Sequence, residues 1–596
     1  MPTRRRFIAA AAGLAAAPAL TARPAVAGGT PQSRPGRPLD DRPNIVVVLA
    51  DDLGFGHLGS YGQRLIRTPT LDELAAQGTR FTQAYAAAAV CAPSRASLLT
   101  GLHSGHAAVR QNPFGGPQGS LGDDDTTFAE VLRARGYRTA CIGKWGFGPD
   151  EAGQPSHPNW RGFEEFFGYI GHGHAHQYYP EYLWHNGEKV ELPENVDGRK
   201  GTYAIDLIQS RANDFVTENA ADPFLLYLTP NVPHAPSDIP EAEEYADRPW
   251  PEADRKHAAQ VTRLDTLVGS VVDTLRRHGI EERTLVLVTS DNGPHEEGKV
   301  DPDLFDANGP LKGYKRNLYE GGVRVPLIAW RPGTVGRAVT DRPTPLIDVL
   351  PTLAELAGAP APRDIDGLSA AALLSRRPGT APSHEHLYWY RNDPGSTARA
   401  KAVDRGRINR LAEAVRRDDW KAVRFAPARD RTAPDESWDL ELYDLATDPG
   451  ETTDLAAERP ALVAELTELL RSSWSARYER EGFGVRLQAP PSAAPGEPLT
   501  VTATFTNASR RTWTDPGLAL SAPRGWRIKP VPGRRRRSLA PGDALESRWE
   551  VTPPPGSTDV ITPGLLHVRA SARVRGVPVR YESRRTVTPP APGAAR

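Results

Sequence analysis

Two stretches of this chain are apolar without a break. Asn44–Ala50 reads Asn-Ile-Val-Val-Val-Leu-Ala, and Thr284–Ser290 reads Thr-Leu-Val-Leu-Val-Thr-Ser. Uninterrupted β-branched runs of this length predict strands buried on both faces of a parallel sheet. The first runs straight into Asp51-Asp52 and the second into Asp291-Asn292-Gly293. Two such ends predict one site at the carboxyl edge of the sheet, where ligands of open α/β folds gather. Between them, helical periodicity covers Leu71–Gly78, Thr126–Gly136 and Ala258–Gly279, each closing on glycine. Further strands are expected at Arg138–Ile142, Pro223–Thr229 and Pro326–Trp330.

After Arg376 the texture changes. His386–Tyr390, Trp420–Arg424 and Leu440–Asp444 read as short strands and Pro460–Arg471 as a helix. From about Val485 the pattern turns all-β, with Leu499–Asn507, Ser547–Val551 and Leu565–Val574 set between Pro/Gly turns. The expectation is an α/β unit over 42–376, a small α+β unit over 380–480 and a β-sandwich over 485–590, with no internal repeat.

The first residues are an address. Arg4-Arg5-Arg6-Phe7 precedes an Ala-rich apolar stretch, and Ala25-Val26-Ala27 offers an A-x-A cleavage site. The apolar run is short for a membrane span, so 1–27 is expected to be a signal peptide. Its paired arginines resemble the twin-arginine signal of bacteria; an ordinary basic n-region is the alternative. The expectation is a secreted or extracytoplasmic protein that engages the twin-arginine export machinery and has no later transmembrane segment.

Composition narrows the classes. Among 596 residues, 73 Lys+Arg balance 73 Asp+Glu. A dedicated nucleic-acid binder would carry a basic excess, so no nucleic-acid partner is expected. The two cysteines, Cys91 and Cys141, exclude a disulfide framework.

Cys91-Ala-Pro-Ser-Arg95 precedes Ala-Ser-Leu-Leu-Thr-Gly101, a helix opening. Free N–H groups at a helix N-terminus favour anions and depress a thiol's pKa. That makes Cys91 a candidate reactive residue; an inert buried thiol is the alternative. Asp51, Asp52, Asp291 and Asn292 are all oxygen donors, suited to a hard cation such as Ca²⁺ or Mg²⁺. Cys141 lies in an expected strand and reads as core.

The Cys-x-Pro-Ser-Arg stretch resembles the signature of the formylglycine-dependent sulfatases. Five more stretches agree in order: Asp51-Asp52-Leu-Gly; Gly143-Lys144-Trp145-Gly146; Pro233-His234-Ala-Pro236; Ser290-Asp291-Asn292-Gly293; and Lys312-Gly-Tyr-Lys315 leading to Glu320-Gly-Gly-Val-Arg-Val-Pro326. Trp420-Lys421 and Glu441–Pro449 look like the family's closing segment, so the likeness spans roughly 42–480. It implies an alkaline-phosphatase-like core, a large mixed sheet flanked by helices. It further implies hydrolysis of an aryl or carbohydrate sulfate, with Cys91 converted to formylglycine by a formylglycine-generating enzyme. Asp51, Asp52, Asp291, Asn292 and the modified Cys91 would hold Ca²⁺, or Mg²⁺. Arg95 would stabilise the nucleophile, Lys144 and Lys315 would bind sulfate, and His234 would act as general acid. The 485–590 segment is similar to the immunoglobulin-like domain of bacterial α-galactosidases.

One position departs from the family. Relatives read Gly-Lys-Trp-His and use that histidine as base; here Gly146 stands in its place. His172, His174 and His176 lie nearby in sequence, and His176 is the expected substitute; lining a pocket or a surface loop is the alternative reading. Two rival functions stay open on these residues, a phosphonate or phosphate ester hydrolase on the same fold and a weakly active glycan-binding homologue.

Overall fold

The computed structural model describes residues 42–587, apart from 114–118, 475–484, 508–511, 555–563 and shorter loop stretches. The signal expected at 1–27 lies outside the described residues.

Eleven strands form one mixed sheet. In chain order they are β1 (Asn44–Ala50), β2 (Thr79–Tyr85), β3 (Arg138–Lys144), β4 (Glu165–Tyr169), β5 (Tyr182–His185), β6 (Glu188–Glu191), β7 (Phe224–Thr229), β8 (Thr284–Ser290), β9 (Arg324–Trp330), β10 (Ala338–Thr340) and β11 (Thr344–Pro345). The central run β8-β1-β7-β3-β4 is parallel, and antiparallel neighbours flank it at β9 and β5. Both apolar runs are the expected buried strands, paired in parallel from Asn44↔Thr284 to Ala50↔Ser290. That register brings Asp51 and Asp291 out side by side at the carboxyl edge.

Alternate residues of β1 serve opposite cores. Val46, Val48 and Ala50 join one apolar cluster with helices α1 (Pro69–Gln77), α4 (Ala204–Glu218) and α5 (Glu252–Arg277). Ile45, Val47 and Leu49 join the other with α2 (Cys91–Thr100) and α3 (Phe128–Arg133). Burying each such side chain contributes about 1.5–3 kcal/mol, so the strand is held from both sides. Helix α5 begins six residues before the expected Ala258. Its first turn, Glu252-Ala-Asp-Arg, is charged and shows no apolar stripe, yet acidic residues suit a helix N-terminus.

The next unit is a four-stranded antiparallel sheet, β12 (Leu387–Arg391), β13 (Ala412–Arg417), β14 (Trp420–Phe425) and β15 (Asp439–Asp444), packed against the helix Pro460–Ser472. A buried ion cluster joins this sheet to the main one. Lys421 on β14 lies 2.9 Å from Glu320 and 3.2 Å from Glu451, and Glu451 accepts from the Glu320 N–H at 2.7 Å. The last described segment forms two four-stranded antiparallel sheets around their own core of Val501, Phe505, Trp513, Trp549 and Val568. No helix among the described residues is long and apolar enough to cross a membrane.

Candidate active site

The strand ends and the start of α2 meet in one buried cage. Asp51 and Asp52 leave β1, Asp291 and Asn292 leave β8, and all four are fully buried. Asp52 adopts φ 69°, a turn that an aspartate tolerates better than most side chains and that redirects its carboxylate. The Asp52 N–H donates to Asp291 Oδ1 at 3.0 Å, and Asn292 Nδ2 donates to Asp52 Oδ1 at 2.7 Å. Opposite them Cys91 opens α2, 0% exposed, with Sγ 3.8 Å from Asp52 Oδ1. The N-cap residue Val90 makes no side-chain cap; instead Asn112 Oδ1 accepts from the Ala92 N–H at 3.0 Å, at the positive dipole end of the helix.

Three cations converge on the carboxylates. Arg95, one turn into α2, donates through Nε to Asp291 Oδ2 at 2.9 Å and through Nη1 to the Lys144 carbonyl. Lys144 Nζ lies 2.7 Å from Asp51 Oδ2, and Lys315 Nζ lies 2.7 Å from Asp52 Oδ2. Lys315 also meets His234 Nε2 at 3.1 Å and Glu297 at 3.1 Å. Lys312, the other lysine of that motif, instead reaches Tyr443 and the Glu451 carbonyl. Thus every residue expected at the site is brought into it, with His176 at its edge.

His176 stacks on His234, ring centroids 4.3 Å apart at 18°. Two bonds between its segment and the His234 loop hold it there: Asn231 Nδ2 donates to the Ala175 carbonyl at 2.8 Å, and the Tyr178 hydroxyl donates to the His234 carbonyl at 2.7 Å. His172 packs edge-on against His176 at 4.9 Å. His174 turns away, onto Tyr169 and Tyr182. Gly146 has φ +90°, and a Cβ there would stand 3.3 Å from both Arg95 and Lys144. A side chain at 146 would be strained and would crowd two of the cations.

Burial and charge set the protonation states. Burial alone would raise Asp51, but Lys144, His234 and Arg95 hold it well below the usual carboxylate range. Asp291 is pushed up to about 7, because burial outweighs Arg95 and its fellow carboxylates add to the rise. Burial also drives the Cys91 thiol far above its ordinary value, despite the two lysines. Burial and Lys315 push His234 down to about 4, and burial with His234 pushes His176 down to about 2.

Asp51 Oδ1 and Asn292 Oδ1 are buried and lack a hydrogen-bond partner. Ligand atoms of Asp51, Asp52, Cys91 and His234 all lie within 4.8 Å of one another. Unsatisfied buried oxygens among carboxylates fit a hard divalent cation. Glu297, salt-bridged to both Lys315 and Arg316, is a member that sequence reasoning missed. Its only signal was the acidic pair Glu296-Glu297 shortly after Asp291-Asn292-Gly293.

The chain is similar to known proteins along most of its length. A family model described as sulfatase matches residues 43–359, the C-terminal model of N-sulphoglucosamine sulphohydrolase matches 313–475, and the NEW3 domain associated with α-galactosidase matches 493–575. Arylsulfatase A of Homo sapiens is 33% identical over 476 residues, covering 75% of this chain and 88% of that protein. Arylsulfatase G of Mus musculus is 35% identical over 375 residues, covering 56% and 69%. The solved structure of Ps i-CgsB in complex with k-i-k-neocarrahexaose superposes with TM-score 0.60 at 28% identity, covering 73% of this chain and 93% of that one.

Proposed function

The chain belongs to the sulfatase family of sulfuric ester hydrolases, and from that premise we propose that it cleaves a carbohydrate or aryl sulfate ester at the cage around residue 91. What carries the reading is the meeting of Cys91, the first residue of α2, with four oxygen-donor residues and two lysines. In this reading Cys91 is converted to formylglycine, which supplies a hydroxyl nucleophile where burial leaves a thiol inert. Asp51, Asp52, Asp291 and Asn292 would hold Ca²⁺, or Mg²⁺, whose chemistry is Lewis-acid polarisation of sulfate oxygens.

The chain's own residues do the rest. Lys144 and Lys315, which pair with Asp51 and Asp52, are the ammonium groups placed to bind sulfate oxygens. Arg95 keeps Asp291 and Asp51 oriented. His234 faces the cage through Nε2, which accepts from Lys315 Nζ while its Nδ1 N–H donates to the Ala235 carbonyl, so as general acid it would hand on to the leaving oxygen a proton taken from Lys315. His176, its Nε2 buried without a partner and its ring stacked on His234, is our assignment for the proton acceptor in place of the side chain missing at Gly146, although burial lowers its basicity. A carbohydrate ester is favoured by the neocarrahexaose-bound relative and the α-galactosidase-type sandwich.

The test is the mass of the peptide containing Cys91 in active protein, with paired rates on aryl sulfate and aryl phosphate esters. The reading expects the aldehyde and a clear sulfate preference. An unmodified thiol in fully active protein would overturn it.

A further inference from the structure

The balanced charge of the whole chain conceals a division. Residues 485–596 hold 17 Arg and one Lys against seven Asp or Glu, a net charge of +11. Residues 1–484 hold 55 Lys+Arg against 66 Asp+Glu, a net charge of −11. A polyanion is therefore repelled by the part of the chain that bears the cage and attracted by the sandwich.

One edge of the sandwich gathers much of this charge. Strand Arg527–Val531 is the outermost strand of one sheet, and Ser538–Leu539 is the outermost of the other. The chain from 527 to 537 thus passes from one sheet to the other, and it carries Arg527, Lys529 and Arg534 to Arg537 with no acidic residue. Arg548 lies beside it, in register with Val531. Nearby acidic groups are engaged elsewhere: Glu550 lies 3.0 Å from Lys529, Asp543 3.1 Å from Arg536 and Glu546 2.8 Å from Arg548. Arg527, Arg535 and Arg537 are exposed and, among the described residues, meet no acidic partner. Exposed ion pairs are weak and screened by salt, so an incoming anion can take the paired cations as well.

The chemistry of these cations selects the anion. A guanidinium binds an oxyanion through two parallel N–H···O bonds, and a sulfate half-ester presents such oxygens with a charge that persists at any ordinary pH. Because the cations turn from one sheet to the other, a flexible chain can follow them where a stiff duplex or a flat bilayer meets only part.

We propose that this edge of the sandwich docks a linear sulfated polysaccharide, an inference that rests on the sulfatase reading of the cage. Docking holds a polyanionic substrate on the same chain as a catalytic unit that otherwise repels it, and so raises its effective concentration without entering the reaction.

The experiment titrates the full chain with dextran sulfate at about 50 and about 200 mM NaCl, with unsulfated dextran, duplex DNA and phosphatidylglycerol vesicles as further arms. Wild type is expected to bind dextran sulfate most tightly and to ignore unsulfated dextran. Its affinity should fall about 10²-fold across that salt range, as a contact of about four charges does. The R527S/K529S/R535S/R537S variant should bind dextran sulfate at least about tenfold more weakly, with aryl sulfate turnover and Tm unchanged. No binding by wild type, unchanged affinity in the folded variant, or tighter binding of DNA or vesicles than of dextran sulfate would overturn the proposal. If the fourfold variant misfolds, R535S/R537S decides: affinity at least about threefold weaker supports the surface, and unchanged affinity refutes it. Absence of aryl sulfate turnover with dextran sulfate binding intact counts against the catalytic reading alone, because binding is read without turnover.

Discussion

At the scale of single residues, the cage ties cation binding to pH. Asp291 sits at about 7 while no cation is bound, raised chiefly by burial, and a ligand carboxylate must lose its proton to bind metal. Protons and cation therefore compete below pH 7. The concentration of Ca²⁺ giving half-maximal turnover should rise by up to about tenfold for each pH unit below 7, and Asp291→Asn should flatten that dependence while weakening binding. Lys315 contacts Asp52, His234 and Glu297 at once. Lys315→Ala should cost about 10²–10³ in kcat, as loss of a charge-stabilising donor does, measured on a small aryl sulfate. The aspartates are legible in the sequence because each follows a strand that needs no partner to be recognised. Glu297 is not, since its role comes from where the Lys315 loop lands, which no local pattern encodes.

At the scale of elements, two features invite measurement. The turn at Gly146 holds φ +90° beside Arg95 and Lys144. Gly146→His should destabilise the protein by about 1–2 kcal/mol and give no gain in turnover, by denaturant melts and steady-state rates. The Lys421–Glu320–Glu451 cluster is buried and pins the short helical turn that follows Lys315 to β14. Lys421→Met leaves Glu451 without its cation and Glu320 with only Arg324 and the Tyr85 hydroxyl, and should cost about 3–5 kcal/mol. Strands with uninterrupted apolar runs, β1, β7 and β8, are plain from their residues alone, because burial on both faces leaves no polar position to break the pattern. Strand β2, Thr-Arg-Phe-Thr-Gln-Ala-Tyr, is not, because polar residues on its half-buried face interrupt the run. The exposed β6, Glu-Lys-Val-Glu, exists only by pairing with β5, and nothing local announces it.

At the scale of the whole molecule, the sandwich has a core of its own residues. Truncation before residue 485 should leave kcat/KM on a small aryl sulfate unchanged, and weaken co-sedimentation with a long sulfated polysaccharide if the sandwich binds glycans. The zero net charge of the whole chain is repeated at the site, where Arg95, Lys144 and Lys315 face the carboxylates of Asp51, Asp52 and Asp291. The burial of Cys91 has a consequence in time. Asp52 and Asp291 are 239 positions apart, so the wall that encloses residue 91 is completed only after the strand bearing Asp291 has been synthesised. Under the proposed conversion of Cys91, the modifying enzyme has a deadline: it must arrive while the chain is still open. Protein that folds without it keeps an ordinary cysteine, and adding the enzyme to the finished molecule should rescue nothing until the chain is unfolded again.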